Sequence, residues 1–415
     1  MNQIEKALRL AETLGGKDGL NCIAELDPTA LRQAREMEKE RAKALPLRGV
    51  PVLIKDNIDV KGLHTTAGSL ALADNLARAD APIVRNLRKN GAVILGKSNM
   101  TEFANYVSTS MPGGYSSRGG QVVHADDPAL SPSGSSSGSA VAVSAGIVPM
   151  AVGTDTSFSI IACAKFNGIC GLKPPVGVLP AEGILPLART LDSAGPMSRT
   201  LDDTLRLYAA MRTEPLPALR PRRLDRLRLA VNRANVEMLP EGETLYLRRL
   251  LNRLRAGGAA VSELVQPPSP VLKTIMQWEF GPMLEDYLRH SSAALKTLAE
   301  IVAFYESHPA SMLRYGDETL RAALYETPGG LRGAPYQDAL RLRREAIARV
   351  TAEIAEYDAV LMTGPTNIMH LCGLPSVTVA GSERTEEGVR RAVILYGADE
   401  TRLYEAALLL EREMG

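Results

Sequence analysis

The sequence predicts an α/β layered fold with a largely central sheet, and three observations carry that prediction. Helical patterns and strand patterns alternate along much of the chain. The strand segments are short apolar runs of the kind found in buried strands. Composition is ordinary for a globular protein, with 45% hydrophobic and 23% charged residues over 415 positions.

The elements follow in order. A first helix starts at Asn2, with Glu5 three residues later as a capping box. Asp27-Pro28 opens a second, an N-cap followed by proline at the first helical position, running to about Ala44. Gly49 to Ile54 reads as a buried strand. Pro82 to Lys89 is helical, Asn90-Gly91 stops it, and Ala92 to Leu95 is again a strand. The same pair recurs at Leu245 to Arg255 with Ala259 to Leu264, and at Tyr336 to Tyr357 with Ala359 to Met362. Two stretches break the pattern. Residues 108–139 are rich in Ser and Gly, and residues 213–226 are rich in Pro and Arg and read as an exposed connection. Val271 to His308 is nearly all helical, and residues of about 270–310 are expected to cover the substrate side.

Charge and cysteine usage narrow the function classes. Forty-eight Lys+Arg stand against 47 Asp+Glu, a net charge of +1, so nucleic acid is not an expected partner. Aromatics are only 4%, with one Trp, which disfavours base stacking. Cys22, Cys163, Cys170 and Cys372 form no CxxC pair, and no His stands at zinc-finger spacing from them. They read as buried thiols of a reducing compartment, with no metal or cofactor expected. Met1 to Gly16 is amphipathic and not a signal peptide. The longest apolar stretch, Ala140 to Gly153, is interrupted by Ser144, Gly146 and Pro149 and is too short for a membrane. A cytoplasmic protein is expected.

Three stretches are unusual. Ser131 to Ser139 has the composition of a flexible linker or a phosphate loop, but it runs straight into the small-residue helix Ala140 to Gly146 and the apolar strand Ile147 to Val152. A phosphate loop would want a Lys-Ser/Thr pair that is missing. Gly153 to Ser159 follows that strand, where ligands bind in open α/β sheets. Its small residues leave N–H groups free to meet an oxyanion; an ordinary strand-to-helix turn is the plainer reading. Lys55 ends the strand at Ile54 and, taken alone, reads as a surface lysine, because a buried ammonium is costly unless paired or neutral.

Taken together these segments resemble the amidase signature family. The resemblance runs through Arg48 to Asn57, Thr65 to Ser69, Gly96 to Phe103, Ser131 to Ser139, Gly153 to Ser159, Gly168 to Pro174 and Leu191 to Met197. It is strong over about residues 45–210 and weak in the C-terminal half, through Leu374 to Val379. It implies one domain over 1–415, with a central mixed β-sheet flanked by α-helices on both sides. It also implies a Ser-cisSer-Lys triad: Ser159 as nucleophile, Ser135 as the bridging serine and Lys55 as base, with an oxyanion hole from the N–H groups of Thr156, Ser157, Phe158 and Ser159. Such chemistry is coherent in itself. A serine needs a base, none of the five His sits in a motif typical of a Ser-His-Asp triad, and a lysine serves once burial makes it neutral.

Within the family, Tyr115 to Gln121 and Ser135 to Ser139 look most like the peptide-amidase branch, which releases ammonia from C-terminal carboxamides. The component that generates ammonia for tRNA-dependent amidation is not favoured. The chain departs from the family at Ser157 and Phe158, where glycines are usual, at Ile161 for Arg, at Cys163 for Pro, and at Lys165. The Phe158 ring goes either into the core or into the acyl pocket, and partial occlusion of the pocket is expected. The expected activity is hydrolysis of a small or peptide amide, with a homodimer allowed. An acyl or amide transferase using the same acyl-enzyme, or a non-hydrolytic binding protein, are the alternatives.

Overall fold

Every strand expected from the sequence lies in a single mixed sheet of 11 strands. The computed structural model describes residues 3–39 and 45–415. Strands run in chain order as β1 (Ile23–Leu26), β2 (Pro51–Lys55), β3 (Val93–Ser98), β4 (Tyr115–Ser116), β5 (Gly120–Gln121), β6 (Met150–Asp155), β7 (Cys170–Lys173), β8 (Ser193–Ser198), β9 (Arg228–Asn232), β10 (Ala260–Leu264), β11 (Ala359–Met362), β12 (Ser376–Arg384) and β13 (Arg390–Tyr396). Their order across the sheet is β1-β3-β2-β6-β8-β7-β12-β13-β11-β9-β10, with β4 and β5 forming a separate small hairpin. β2 is parallel to both β3 and β6, whereas β8 is antiparallel to both β6 and β7. The helices are α1 (Gln3–Thr13), α2 (Ala30–Lys39), α3 (Pro82–Lys89), α4 (Ser137–Ser144), α5 (Ile161–Phe166), α6 (Leu201–Met211), α7 (Glu241–Ala256), α8 (Val271–His290), α9 (Leu298–Ser307), α10 (Pro309–Met312), α11 (Glu318–Tyr325), α12 (Ala334–Ile354), α13 (Ile368–Leu371) and α14 (Glu400–Met414).

Alternation along the central strands explains the layering. On β2, Val52 and Ile54 enter one apolar cluster with α3, α6 and α14, and Leu53 enters another with α1 and α4. Met150 and Val152 of β6 likewise oppose Ala151. Both faces are therefore dry, which is why these strands read as unbroken apolar runs. A third cluster, built on α8, α9 and α12, takes in Met100, Phe103 and Ile161 from the motif-bearing half.

Some boundaries differ from expectation. Asp27 caps as expected, accepting the Thr29 N–H at 2.7 Å, but the helix begins at Ala30. The Asn2 cap and the end of α2 near Ala44 lie outside the described residues. The strand expected from Ile147 starts at Met150, because the N–H groups of Ile147 and Val148 close the end of α4 on the Ala142 carbonyl. It also runs further, to Asp155, so the turn spans fewer residues than Gly153 to Ser159. The helical stretch from Val271 to His308 is two helices, with a break between His290 and Leu298.

The Ser-rich segment is no linker. Ser135, Ser136, Ser137 and Ser139 are fully buried, and α4 begins at Ser137. Gly138 is required there: a Cβ would stand 2.4 Å from the Asn99 carbonyl and 2.5 Å from that of Cys22. The small residues let α4 settle directly on the loops flanking β3. The cover helices are fixed to the motif region by buried polar contacts. The Tyr287 hydroxyl donates to Asp59 at 2.7 Å, Tyr305 donates to buried Glu102, and Glu279 accepts from Tyr336 at 2.7 Å and from the Thr190 N–H at 3.0 Å.

Candidate active site

Lys55 ends β2, and the surface reading of it fails: the side chain is fully buried. Its Nζ lies 2.7 Å from Ser135 Oγ, 3.0 Å from Ser136 Oγ and 2.8 Å from Thr154 Oγ1. Ser135 Oγ is in turn 3.1 Å from Ser159 Oγ. The peptide bond between Gly134 and Ser135 is cis. Strand β2, the loop entering α4 and the turn after β6 thus bring Lys55, Ser135 and Ser159 into one line. Among the described residues no carboxylate lies within ion-pair distance of Lys55. Burial pushes its pKa down to about 7, with Asp155 and Asp192 opposing from farther away.

The polar shell of the Lys55 amine includes two side chains, Ser136 and Thr154, that the motif reading did not assign. Ser136 Oγ donates to the Thr154 carbonyl at 3.1 Å, so it faces Lys55 as an acceptor. Thr154 offers a second acceptor, its hydroxyl held by Asn57 Nδ2 at 3.1 Å. These lie inside or beside the unusual stretches, so spacing alone could have suggested them.

The turn carrying Ser159 is anchored from below. Asp155 Oδ2 accepts the N–H groups of Ile160 at 2.7 Å and Ile161 at 3.2 Å. Thr156 Oγ1 donates to Asp192 at 2.5 Å, and Asp192 also accepts the Leu187 and Ala188 N–H groups. Burial raises the Asp192 carboxyl to about 6. A cleft beside the triad is lined by Asn57, Thr154, Thr156, Leu185, Leu187 and Asp192.

Phe158 has φ of +69°, the left-handed conformation that its usual glycine would take without penalty. Of the two directions open to its ring, the one toward the core is the one seen. The ring lies on His370, with centroids 4.5 Å apart, and joins the edge of the cluster formed by α8, α9 and α12. Its N–H is also engaged, donating to His370 Nε2 at 2.9 Å. That corrects the four-donor oxyanion arrangement: as folded, Phe158 is not a free donor. The N–H groups of Ser157 and Ser159 have no acceptor among the described residues.

The remaining departures fall behind the turn. Ile161 and Cys163 are fully buried, and burial pushes the Cys163 thiol up to about 12, which leaves it inert. Lys165 turns outward to pair with Glu243 at 3.1 Å. His370 and Asp155 hold the turn, and the sequence reading assigned a role to neither, although Asp155 lies within Gly153 to Ser159. His370 lies in a C-terminal segment with no motif around it, and only the fold brings it to the turn.

The sequence matches the Amidase family over residues 5–371. It is 31% identical over 405 residues to a probable amidase of Arabidopsis thaliana, covering 87% of this chain and 76% of that one. It is also 31% identical over 422 residues to a glutamyl-tRNA(Gln) amidotransferase component of Deinococcus deserti, covering 90% and 85%. The structure of a peptide amidase from Stenotrophomonas maltophilia superposes with a TM-score of 0.87 at 31% identity, covering 99% of this chain and 92% of that one. The chain belongs to the amidase family and is an amide-hydrolysing enzyme.

Proposed function

We propose that this amidase works as one catalytic unit over residues 1–415 and hydrolyses a carboxamide through an acyl-enzyme on Ser159, with Ser135 as relay and Lys55 as base. The observation that carries the reading is the unbroken contact from a fully buried lysine through Ser135 to Ser159, at 2.7 and 3.1 Å. A neutral amine has two N–H groups and one lone pair. Ser136 Oγ and Thr154 Oγ1 are placed to take the two N–H groups, which leaves the lone pair for the Ser135 hydroxyl. Ser135 then accepts the Ser159 proton as it passes its own to Lys55. The Ser159 oxygen bonds to the substrate carbonyl carbon, and the oxyanion meets the N–H groups of Ser157 and Ser159 beside Thr156. The relay returns the proton to the amide nitrogen, the C–N bond breaks, and ammonia or an amine leaves. Water attacks the ester by the same relay and releases the acid.

Peptide amides are the favoured substrates, on the likeness to the Stenotrophomonas peptide amidase. The Deinococcus relative supports a second reading, in which the acyl-enzyme or its ammonia serves a transfer reaction. An ammonia-release screen over peptide, aliphatic and aryl amides, run with and without an amine acceptor, separates the two. Free acid and stoichiometric ammonia support hydrolysis, and a substituted amide product supports transfer.

A further inference from the structure

His370 has no part in the relay, yet it reaches the turn that carries the nucleophile from 212 residues beyond Phe158. The ring is fully buried. Its Nε2 stands 2.9 Å from the Phe158 nitrogen and 3.1 Å from Asp155 Oδ1. One ring nitrogen cannot satisfy both neighbours. Accepting the Phe158 N–H requires a lone pair on Nε2, and donating to Asp155 requires a proton there. Nδ1 has no partner among the described residues, so nothing across the ring fixes the choice.

The Phe158 backbone needs restraint, because a φ of +69° is disfavoured for a residue with a large side chain. Its carbonyl accepts the Ala162 N–H at 2.8 Å, its ring lies on His370, and its N–H ends on the same imidazole. Two of these three restraints come from His370. The charged groups acting on the ring are Asp155 on β6 and Lys173 on β7. Arg343 of α12 donates instead to the neighbouring Leu371 carbonyl. Burial disfavours the imidazolium most, Lys173 adds to it and Asp155 opposes it, with a net shift downward that leaves the ring neutral near neutral pH.

We propose that His370 is a positioning residue for the acyl-transfer step: by accepting the Phe158 N–H it holds the turn that presents Ser157 and Ser159, and on gaining a proton it lets that turn go. The inference rests on Ser159 acting as nucleophile. A protonated imidazole donates from both nitrogens, so it turns to Asp155 and can no longer accept from Phe158.

The test uses the full-length enzyme and two variants. In His370→Gln the side-chain amide can accept from Phe158 and donate to Asp155 at once; in His370→Leu it can do neither. Ammonia release and the rate of Ser159 labelling by a sulfonyl fluoride are measured against pH. His370→Leu should lose about ten- to a hundredfold in kcat with KM nearly unchanged, and His370→Gln should stay within about threefold of wild type. The acid limb of kcat/KM in the wild type should steepen from one proton to two as pH falls, the second belonging to His370; the Gln variant should keep a one-proton slope. If His370→Leu shows no cooperative melt, the slope comparison decides alone. A wild-type kcat in His370→Leu, a Gln variant as impaired as Leu, or identical slopes would each overturn the proposal. A wild type that is never labelled at Ser159 would instead overturn the nucleophile assignment on which it rests.

Discussion

The two sides of Ser159 are built differently. On the base side, Lys55, Ser135, Ser136 and Thr154 are buried groups from three neighbouring segments, and each polar atom has a partner. On the turn side, a left-handed Phe158 depends on His370, whose single Nε2 faces two competing neighbours. The first arrangement is fully satisfied and should be intolerant of change. The second is only partly satisfied and should be adjustable. A satisfied buried network rigidifies, whereas one with a choice of proton position can respond to its surroundings.

The largest expected effect lies where the two sides meet. Ser159→Ala should remove covalent labelling and lower turnover by several orders of magnitude, while the melting transition stays cooperative. Near-wild-type turnover would dissolve the comparison, since neither side would then serve a nucleophile. Next comes the base. Lys55→Ala should slow turnover about a thousandfold or more, and Lys55→Arg should not restore it, because a guanidinium stays protonated. Full activity with arginine would show that the base side supplies charge and not proton acceptance. Ser135→Ala should be less damaging than either, because water can replace the hydroxyl in the relay. A loss equal to that of Lys55→Ala would mean that the relay admits no substitute.

A pH profile sharpens the contrast further. On the proposed mechanism Lys55 acts when neutral, and burial pushes its pKa down to about 7. Activity should therefore be full above that value and fall about tenfold per pH unit just below it, more steeply once His370 also gains a proton. The smallest effect belongs to Phe158→Gly. Glycine removes the left-handed penalty but also the ring packed on His370. Turnover on small amides should stay within about threefold, and the ranking of acyl groups by size should not change. A marked gain on bulky amides would return the ring to the acyl pocket.

The base side was legible through the family resemblance, which runs through its contiguous unusual stretches, whereas Lys55 read alone pointed to the surface. A lysine closing an apolar run, a serine-rich segment running into a helix, and small residues after a strand each violate a local expectation, and functional sites concentrate such violations. The sheet was legible too, since doubly covered strands give short apolar runs. Boundaries shifted where tertiary bonds won, as when Ile147 and Val148 closed α4 instead of extending β6. The turn side was half legible. Phe158 stood out against a usual glycine, but its partner did not. Burial, the nearness of Asp155 and the N–H bond to Phe158 are all properties of His370 in the folded chain, and no periodicity or spacing encodes them.

Adduct mapping of the wild-type enzyme against pH tests the central claim most directly. After brief exposure to a sulfonyl fluoride, peptide mass analysis should place the adduct on Ser159. Its rate of formation should rise with pH through the value of about 7 to which burial lowers Lys55 and then level off. An adduct on another residue, or a rate that rises only toward the ordinary lysine range of about 10.4, would contradict a buried neutral Lys55 acting through Ser135 on Ser159.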